Sequence, residues 1–291
     1  MSSAWWEKVP FGRTGLRVSR LSIGSSYGVG GADLERAFER GVNFFFFGLR
    51  RRGGFADGLR ALAPRHRDEM VIAIQSYSRS AILMKPSVCA ALRKLKIDSA
   101  DVLGLGWWNA APPPRILDTA LALQAAGKVK HIIVSSHHRP AFEAMAKDPA
   151  YGGIMVRYSA AHPGAEREVF PLLEAPKPGV LAFTATRWGK LTAPELTPPG
   201  ERTPTATDCY RFVLSNSNVD ATLCGPSDGE RLDACMAALD QGPMSADELA
   251  WMRRVGVAVR DGATGGGPVQ WLDRVAGKLR GGDGPADDAR T

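Results

Sequence analysis

Short apolar runs of strand type alternate with stretches of helical periodicity eight times along this 291-residue chain, and few folds accept that order. The runs are Leu21-Ser22-Ile23-Gly24, 43–47, Met70-Val71-Ile72-Ala73-Ile74, Asp101–Leu105, His131-Ile132-Ile133-Val134, Gly153–Arg157, Val180-Leu181-Ala182-Phe183 and Val219–Leu223. Between them lie helical stripes: Leu34, Ala37 and Phe38 behind Asp33 as a cap; residues near 55–63; Val88, Ala91, Leu92 and Leu95; and 115–126, stopped by Gly127. Leu232, Cys235, Met236 and Leu239 form a later stripe, and Ser245-Ala246-Asp247-Glu248 is a capping box that opens a last helix.

The alternation predicts an α/β fold, a (β/α)8 TIM barrel with an N-terminal β-hairpin at Val9–Val18 and an extra C-terminal helix. An open doubly wound sheet is the competing arrangement. One barrel domain is expected over residues 1–260, because the length suits a single α/β barrel; 261–291 is Gly- and Asp-rich and reads as a flexible tail.

Hydrophobic residues at 44% and charged residues at 23% describe an ordinary globular chain. The +7 formal charge is spread over scattered lysines and arginines with no aromatic-interleaved stripe, which speaks against nucleic acid as a partner and leaves a small-molecule substrate or ligand. No apolar run approaches the roughly twenty residues of a membrane span, so no membrane partner is expected. Cys89, Cys209, Cys224 and Cys235 lack metal-ligand or CxxC spacing, which predicts reduced thiols, no metal and a cytoplasmic location.

In a barrel the chemistry gathers where strands end at their carboxyl side. Those exits carry Tyr27; Phe47 with Arg50-Arg51-Arg52; Gln75 and Tyr77; Trp107-Trp108-Asn109; His137-His138; and Tyr158 with His162. Tyr27, Phe47, Trp107, Trp108 and Tyr158 suit an aromatic substrate pocket, and a neutral imidazole at His137 or His138 can act as base or acid near pH 7. Tyr27-Gly28-Val29-Gly30-Gly31 has the look of a dinucleotide fingerprint, yet Asp33 stands at its third glycine, so a plain βα turn is the better reading.

From the hairpin to about residue 256 the chain resembles the aldo-keto reductase family. The carriers are Phe11-Gly12-Arg13-Thr14-Gly15-Leu16-Arg17-Val18-Ser19, Gly41-Val42-Asn43-Phe44-Phe45, Lys94–Leu103, Gly127-Lys128-Val129-Lys130 and Val134-Ser135-Ser136, in that order. The resemblance implies NADP(H) bound at the carboxyl end and hydride transfer to a carbonyl carbon, with an Asp/Tyr/Lys/His tetrad supplying the proton and orienting the substrate. At the matching positions this chain has Phe46, Arg51, Gln75 and Gly106, so little ordinary carbonyl reductase activity is expected and Tyr77, His137 and His138 become the candidate acids. The resemblance further implies cofactor contacts at Ser135, Ser136, Phe183, Thr184, Arg187, Gly225, Ser227 and Arg231, with Met155 and Cys235 departing from the family's residues. The expected function is a divergent oxidoreductase with non-standard active-site chemistry; a lyase, isomerase or cyclase on the same barrel, or a ligand-binding pseudoenzyme, is the alternative.

Overall fold

The structure, a computed structural model, describes residues 4–48 and 53–262. A two-stranded antiparallel hairpin, β1 (Val9–Pro10) and β2 (Arg17–Val18), precedes eight strand-helix units. The first four units are β3 (Leu21–Gly24) with α1 (Gly31–Glu39), β4 (Phe44–Phe47) with α2 (Phe55–His66), β5 (Val71–Ser76) with α3 (Ala81–Leu95), and β6 (Ala100–Leu105) with α4 (Pro114–Ala125). The next four are β7 (Val129–Ser136) with α5 (Phe142–Lys147), β8 (Gly153–Arg157) with α6 (Ala165–Glu168), β9 (Gly179–Phe183) with α7 (Ala206–Leu214), and β10 (Ala221–Cys224) with α8 (Gly229–Gln241). A final helix, α9 (Ala246–Gly262), packs outside. The strands run parallel in the order β10-β3-β4-β5-β6-β7-β8-β9 and close on themselves, which settles the choice between barrel and open sheet.

Continuous apolar strands are what a parallel barrel requires, since both strand faces are covered. Along β4 the four phenylalanines divide by parity: Phe44 and Phe46 enter the inner core with Val71, Ala73, Val102, Ile133, Met155 and Leu181, while Phe45 and Phe47 face the helices. Burying each such ring contributes about 1.5–3 kcal/mol. Phe11 from the hairpin closes the amino end, with its ring 5.5 Å from that of Phe44. Gly12 makes the closure possible: its φ is +49°, and a Cβ there would stand 1.9 Å from the Gly179 nitrogen.

Several residues that carry the family resemblance are fasteners at this amino end. Arg13 donates to the carbonyls of Asp148 (2.6 Å) and Tyr151 (2.7 Å). Asn43 accepts from Ser19 N (2.7 Å) and donates to the Arg17 and Glu69 carbonyls. Buried Asp101 accepts from Ile72 N and meets Arg67 and Lys130, each at 2.9 Å.

Two local expectations are corrected. Asp33 does not cap α1: Gly30 occupies that position, and Asp33 sits in the first turn paired with Arg36 at 3.2 Å. Helix α7, unanticipated, is opened by a capping box between Thr205 and Asp208. The Ser245/Glu248 box does open α9, which runs from Ala246 to Gly262. Arg51, its neighbours 49–52 and residues 263–291 lie outside the described residues.

Candidate active site

Strand parity decides which side chains reach the barrel mouth. Two residues beyond the inner-core Ala73, Ile133, Met155 and Leu181 stand Gln75, Ser135, Arg157 and Phe183, so all four continue the inner face toward the carboxyl end. Phe46 and Gly106 complete the ring, with Gly106 N bonded to Ser76 O at 2.9 Å beyond the end of β6.

An aromatic arc crosses this mouth from the β5 exit to the β9 exit. The Tyr77 and Trp107 rings meet edge to face at 5.1 Å, Trp107 meets His137 at 5.6 Å, and His137 meets Phe183 at 5.5 Å. Trp107 takes a left-handed backbone with φ +56° and is held there from two sides. Its N–H donates to Ser135 Oγ at 2.9 Å; Arg79 donates to its carbonyl and, at 2.9 Å, to that of Gly106, while its guanidinium lies 3.9 Å from the Trp108 ring centroid. Thr184, Arg187 and Trp188, in the β9 exit, are left-handed as well, so strained backbone concentrates at this end.

No family model matches the sequence. Solved structures do. An aldo-keto reductase from Bacillus halodurans in its holo form superposes with a TM-score of 0.71 at 19% identity, covering 86% of this chain and 96% of its own. An aldo/keto reductase from Klebsiella pneumoniae in complex with NADP and acetate gives 0.71 at 20% identity, covering 86% and 95%. The fold is that of the aldo-keto reductases.

Of the positions where the sequence resemblance puts the family's tetrad, those among the described residues hold no ionisable side chain. Phe46 is sealed in the inner core and Gln75 is a buried amide. At position 106 a Cβ would stand 2.6 Å from Tyr77 Cδ1 and Cε1 and 2.8 Å from Gln75 Nε2, so the Tyr77 ring fills the room beside the missing side chain. Burial pushes the Tyr77 phenol well above its ordinary pKa, with Arg79 opposing in part.

Of the residues expected in an aromatic pocket, Trp107 lines the mouth and the others are placed elsewhere. Phe47 faces outward by strand parity and stacks on Phe55 at 6.2 Å. Tyr158 follows inward Arg157 and so points into the outer core, where its hydroxyl donates to Glu166 (2.6 Å) and accepts from Asn216 (3.2 Å). Trp108 packs against the same outer core under Arg79. Tyr27 is exposed and lies over the β10 exit: a Cβ on Gly225 would be 2.4 Å from its Cδ2.

The expected cofactor residues divide too. Ser135 reaches the mouth and Phe183 flanks it. Ser136 and His138 instead close a local turn, the serine hydroxyl donating to His138 O and accepting from His138 N, both at 2.9 Å, with the His138 side chain exposed. Arg187 donates to Val259 O at 2.6 Å and so ties the mouth to α9. Met155 and Cys235 are buried in the inner and outer cores. At α8 the start of the helix is taken by Asp228, which accepts from Arg231 N (2.9 Å) and Ser227 Oγ (2.8 Å) while Arg231 Nη1 donates to Ser227 Oγ (2.6 Å). These contacts hold the Asp228 carboxyl below its ordinary pKa.

Sequence reading passed over three residues that the geometry singles out: Arg79, which clamps the β6 exit, Asp228 at α8, and Arg157. Alternation from Met155 was the available signal for Arg157; nothing local marks Arg79. Among the described residues no three His, Cys, Asp or Glu side chains are grouped to hold a metal, and no helix is long and apolar enough to cross a membrane. Two clefts of about 330 and 430 Å³ lie on the amino side, away from the mouth, beside Arg20 and Asp220 and beside Phe38 and His66.

Proposed function

We propose that the protein is a nicotinamide-dependent oxidoreductase, with NADP(H) its cofactor, in which Tyr77 takes over as hydrogen donor to a carbonyl oxygen. The observation that carries this reading is the Tyr77 ring packed beside Gly106, the position at which the resemblance to the family would expect the tetrad's histidine. A phenol with a raised pKa stays protonated at any working pH, and a substrate alkoxide is a stronger base still, so transfer to it runs downhill. His137, between Trp107 and Phe183, is placed to orient the carbonyl; His138 faces solvent.

What supports a nicotinamide at the mouth is Ser135, on the inner-face parity of β7 with its Oγ accepting from Trp107 N, and the partly buried Phe183 ring beside His137. Ser227 and Arg231 would hold the adenosine phosphate at the start of α8. Bound there, the nucleotide would supply the hydride. One observation favours the second reading, a non-redox enzyme or a ligand-binding pseudoenzyme: Asp228 already fills the amino end of α8 with negative charge.

The experiment is a fluorescence titration with NADPH followed by turnover assays of the wild type and Tyr77→Phe. Binding is expected, and loss of the hydroxyl should lower turnover by ~10²-fold or more. Undiminished turnover in Tyr77→Phe sinks the role given to Tyr77, and absence of nucleotide binding transfers the site to the second reading.

A further inference from the structure

Gln75 is an amide set where β5 opens into the mouth. Strand parity puts it on the inner face, two residues beyond Ala73, and only 8% of its surface is open. Among the described residues neither its Oε1 nor its Nε2 has a hydrogen-bond partner. The adjoining inner face of β6 can supply no side chain, because Gly104, which pairs with Gln75 across the strands, and Gly106 carry none. One strand further, Ser135 Oγ already accepts from Trp107 N at 2.9 Å.

Position 106 shows where the amide lies. A Cβ there would stand 2.8 Å from Gln75 Nε2 and 2.6 Å from Tyr77 Cδ1 and Cε1, so the amide nitrogen and the phenol ring border the same spot. The stem of Gln75 runs beside Gly104, where a Cβ would meet its Cγ at 3.6 Å. From Tyr77 the aromatic arc leads on through Trp107 and His137 to Phe183.

An amide shut away from bulk water and left unpaired is costly, and native proteins keep few of them. This one shows a neutral donor and a neutral acceptor side by side. A carboxylate would answer the donor and be repelled by the acceptor, and an ammonium would do the reverse. A second amide edge answers both at once with two parallel bonds, and its flat frame packs well against aromatic rings.

We propose that Gln75 is the recognition group of the mouth, and that its ligand is a neutral, flat molecule with an exposed amide edge: a lactam, an imide or a primary carboxamide. The assignment rests on the mouth being the substrate site. In the reaction inferred above, the carbonyl to be reduced stands next to that edge, toward Tyr77.

The probes are 2-pyridone, whose N–H and C=O form such an edge, and N-methyl-2-pyridone, which keeps the ring and the carbonyl but loses the donor. Ligand-detected NMR titration of the full chain, without nucleotide and with saturating NADP⁺, gives both affinities. 2-Pyridone is expected to bind about tenfold more tightly or better, and Gln75→Met, which keeps the length of the side chain without its amide, should erase the difference. Equal affinities in the wild type overturn the proposal, as does binding of neither probe at millimolar concentration. A preference that survives in Gln75→Met overturns it too. If NADP⁺ binds and expels 2-pyridone, the amide serves the nucleotide's own carboxamide, and the proposal fails while the oxidoreductase reading gains. The wild-type comparison stands even if the variant does not fold, and it needs neither turnover nor bound nucleotide, so it is decided whether or not the protein is an oxidoreductase.

Discussion

Arg79 grips the turn that carries Trp108: its guanidinium covers the indole at 3.9 Å while its N–H groups reach the two preceding carbonyls, those of Gly106 and Trp107. One exposed side chain thereby fixes the left-handed Trp107 that stands against Tyr77 and His137. Arg79→Ala should destabilise the protein by about 1–2 kcal/mol, combining an exposed cation–π contact with partly solvated hydrogen bonds. Arg79→Lys should recover less than half of that. The urea midpoint measures both, and an unchanged midpoint in the alanine variant would remove the role.

Gly106 and Tyr77 should behave as a coupled pair. A β-carbon at 106 collides with the ring, so Gly106→Ala is expected to cost about 1–3 kcal/mol and the double variant with Tyr77→Ala to recover much of it. Installing the residues that the family resemblance would expect at Phe46, Arg51, Gln75 and Gly106 therefore needs a fifth change, at Tyr77. A double-mutant cycle with additive effects would contradict this coupling.

Simple unsubstituted aldehydes should be turned over poorly by the unmodified chain. Phe46 cannot accept a hydrogen bond and Gln75 carries no charge, so no ion pair supports a tyrosinate and the Tyr77 phenol has to act as acid without that electrostatic help. Consumption of NADPH with a panel of such aldehydes measures it; brisk turnover across the panel would refute the expectation.

For the nucleotide, Arg231→Ala should weaken NADPH roughly tenfold or more and NADH much less, because only the former carries a phosphate for a charge-assisted contact of about 1.5–3 kcal/mol. Asp228→Ser should strengthen NADPH, since it removes the carboxylate that now shares Ser227 and the helix start with Arg231. Equal losses of both nucleotides in Arg231→Ala would displace the phosphate from this segment.

His162 gives a pH dependence with a defined sign. Its folded pKa of about 3 lies below the ordinary 6.5, so the unfolded chain takes up the proton first. The stability contributed by the neutral ring is full above the unfolded value and is lost as pH falls from there toward the folded one. Between about pH 7.5 and pH 5 the Tm of the wild type should fall more steeply than that of His162→Gln. Parallel curves would mean that the imidazole stays solvated.

The barrel was legible because its strands are unbroken apolar runs, and the bounds of β8 coincide with Gly153–Arg157 as expected from sequence. The family likeness was legible for a different reason: Arg13, Asn43 and Asp101 fasten the amino end, and their partners are mostly backbone groups that any barrel of this shape presents. Side-chain direction past the strand ends was not legible. Phe47 and Tyr158 differ from inward Phe46 and Arg157 by a single step of parity, which only the register of neighbouring strands resolves. Nor did local sequence show that Ser136 would spend its hydroxyl on the turn to His138, or that Tyr27 would lie over Gly225.

The Phe11 ring against Phe44 shuts the amino end of the inner core. A molecule that reaches Ser135 and Tyr77 therefore arrives and departs at the carboxyl end, beside Trp107 and Phe183, and a product still held there keeps the next substrate out. Inhibition by product that is competitive with substrate is the expected kinetic signature.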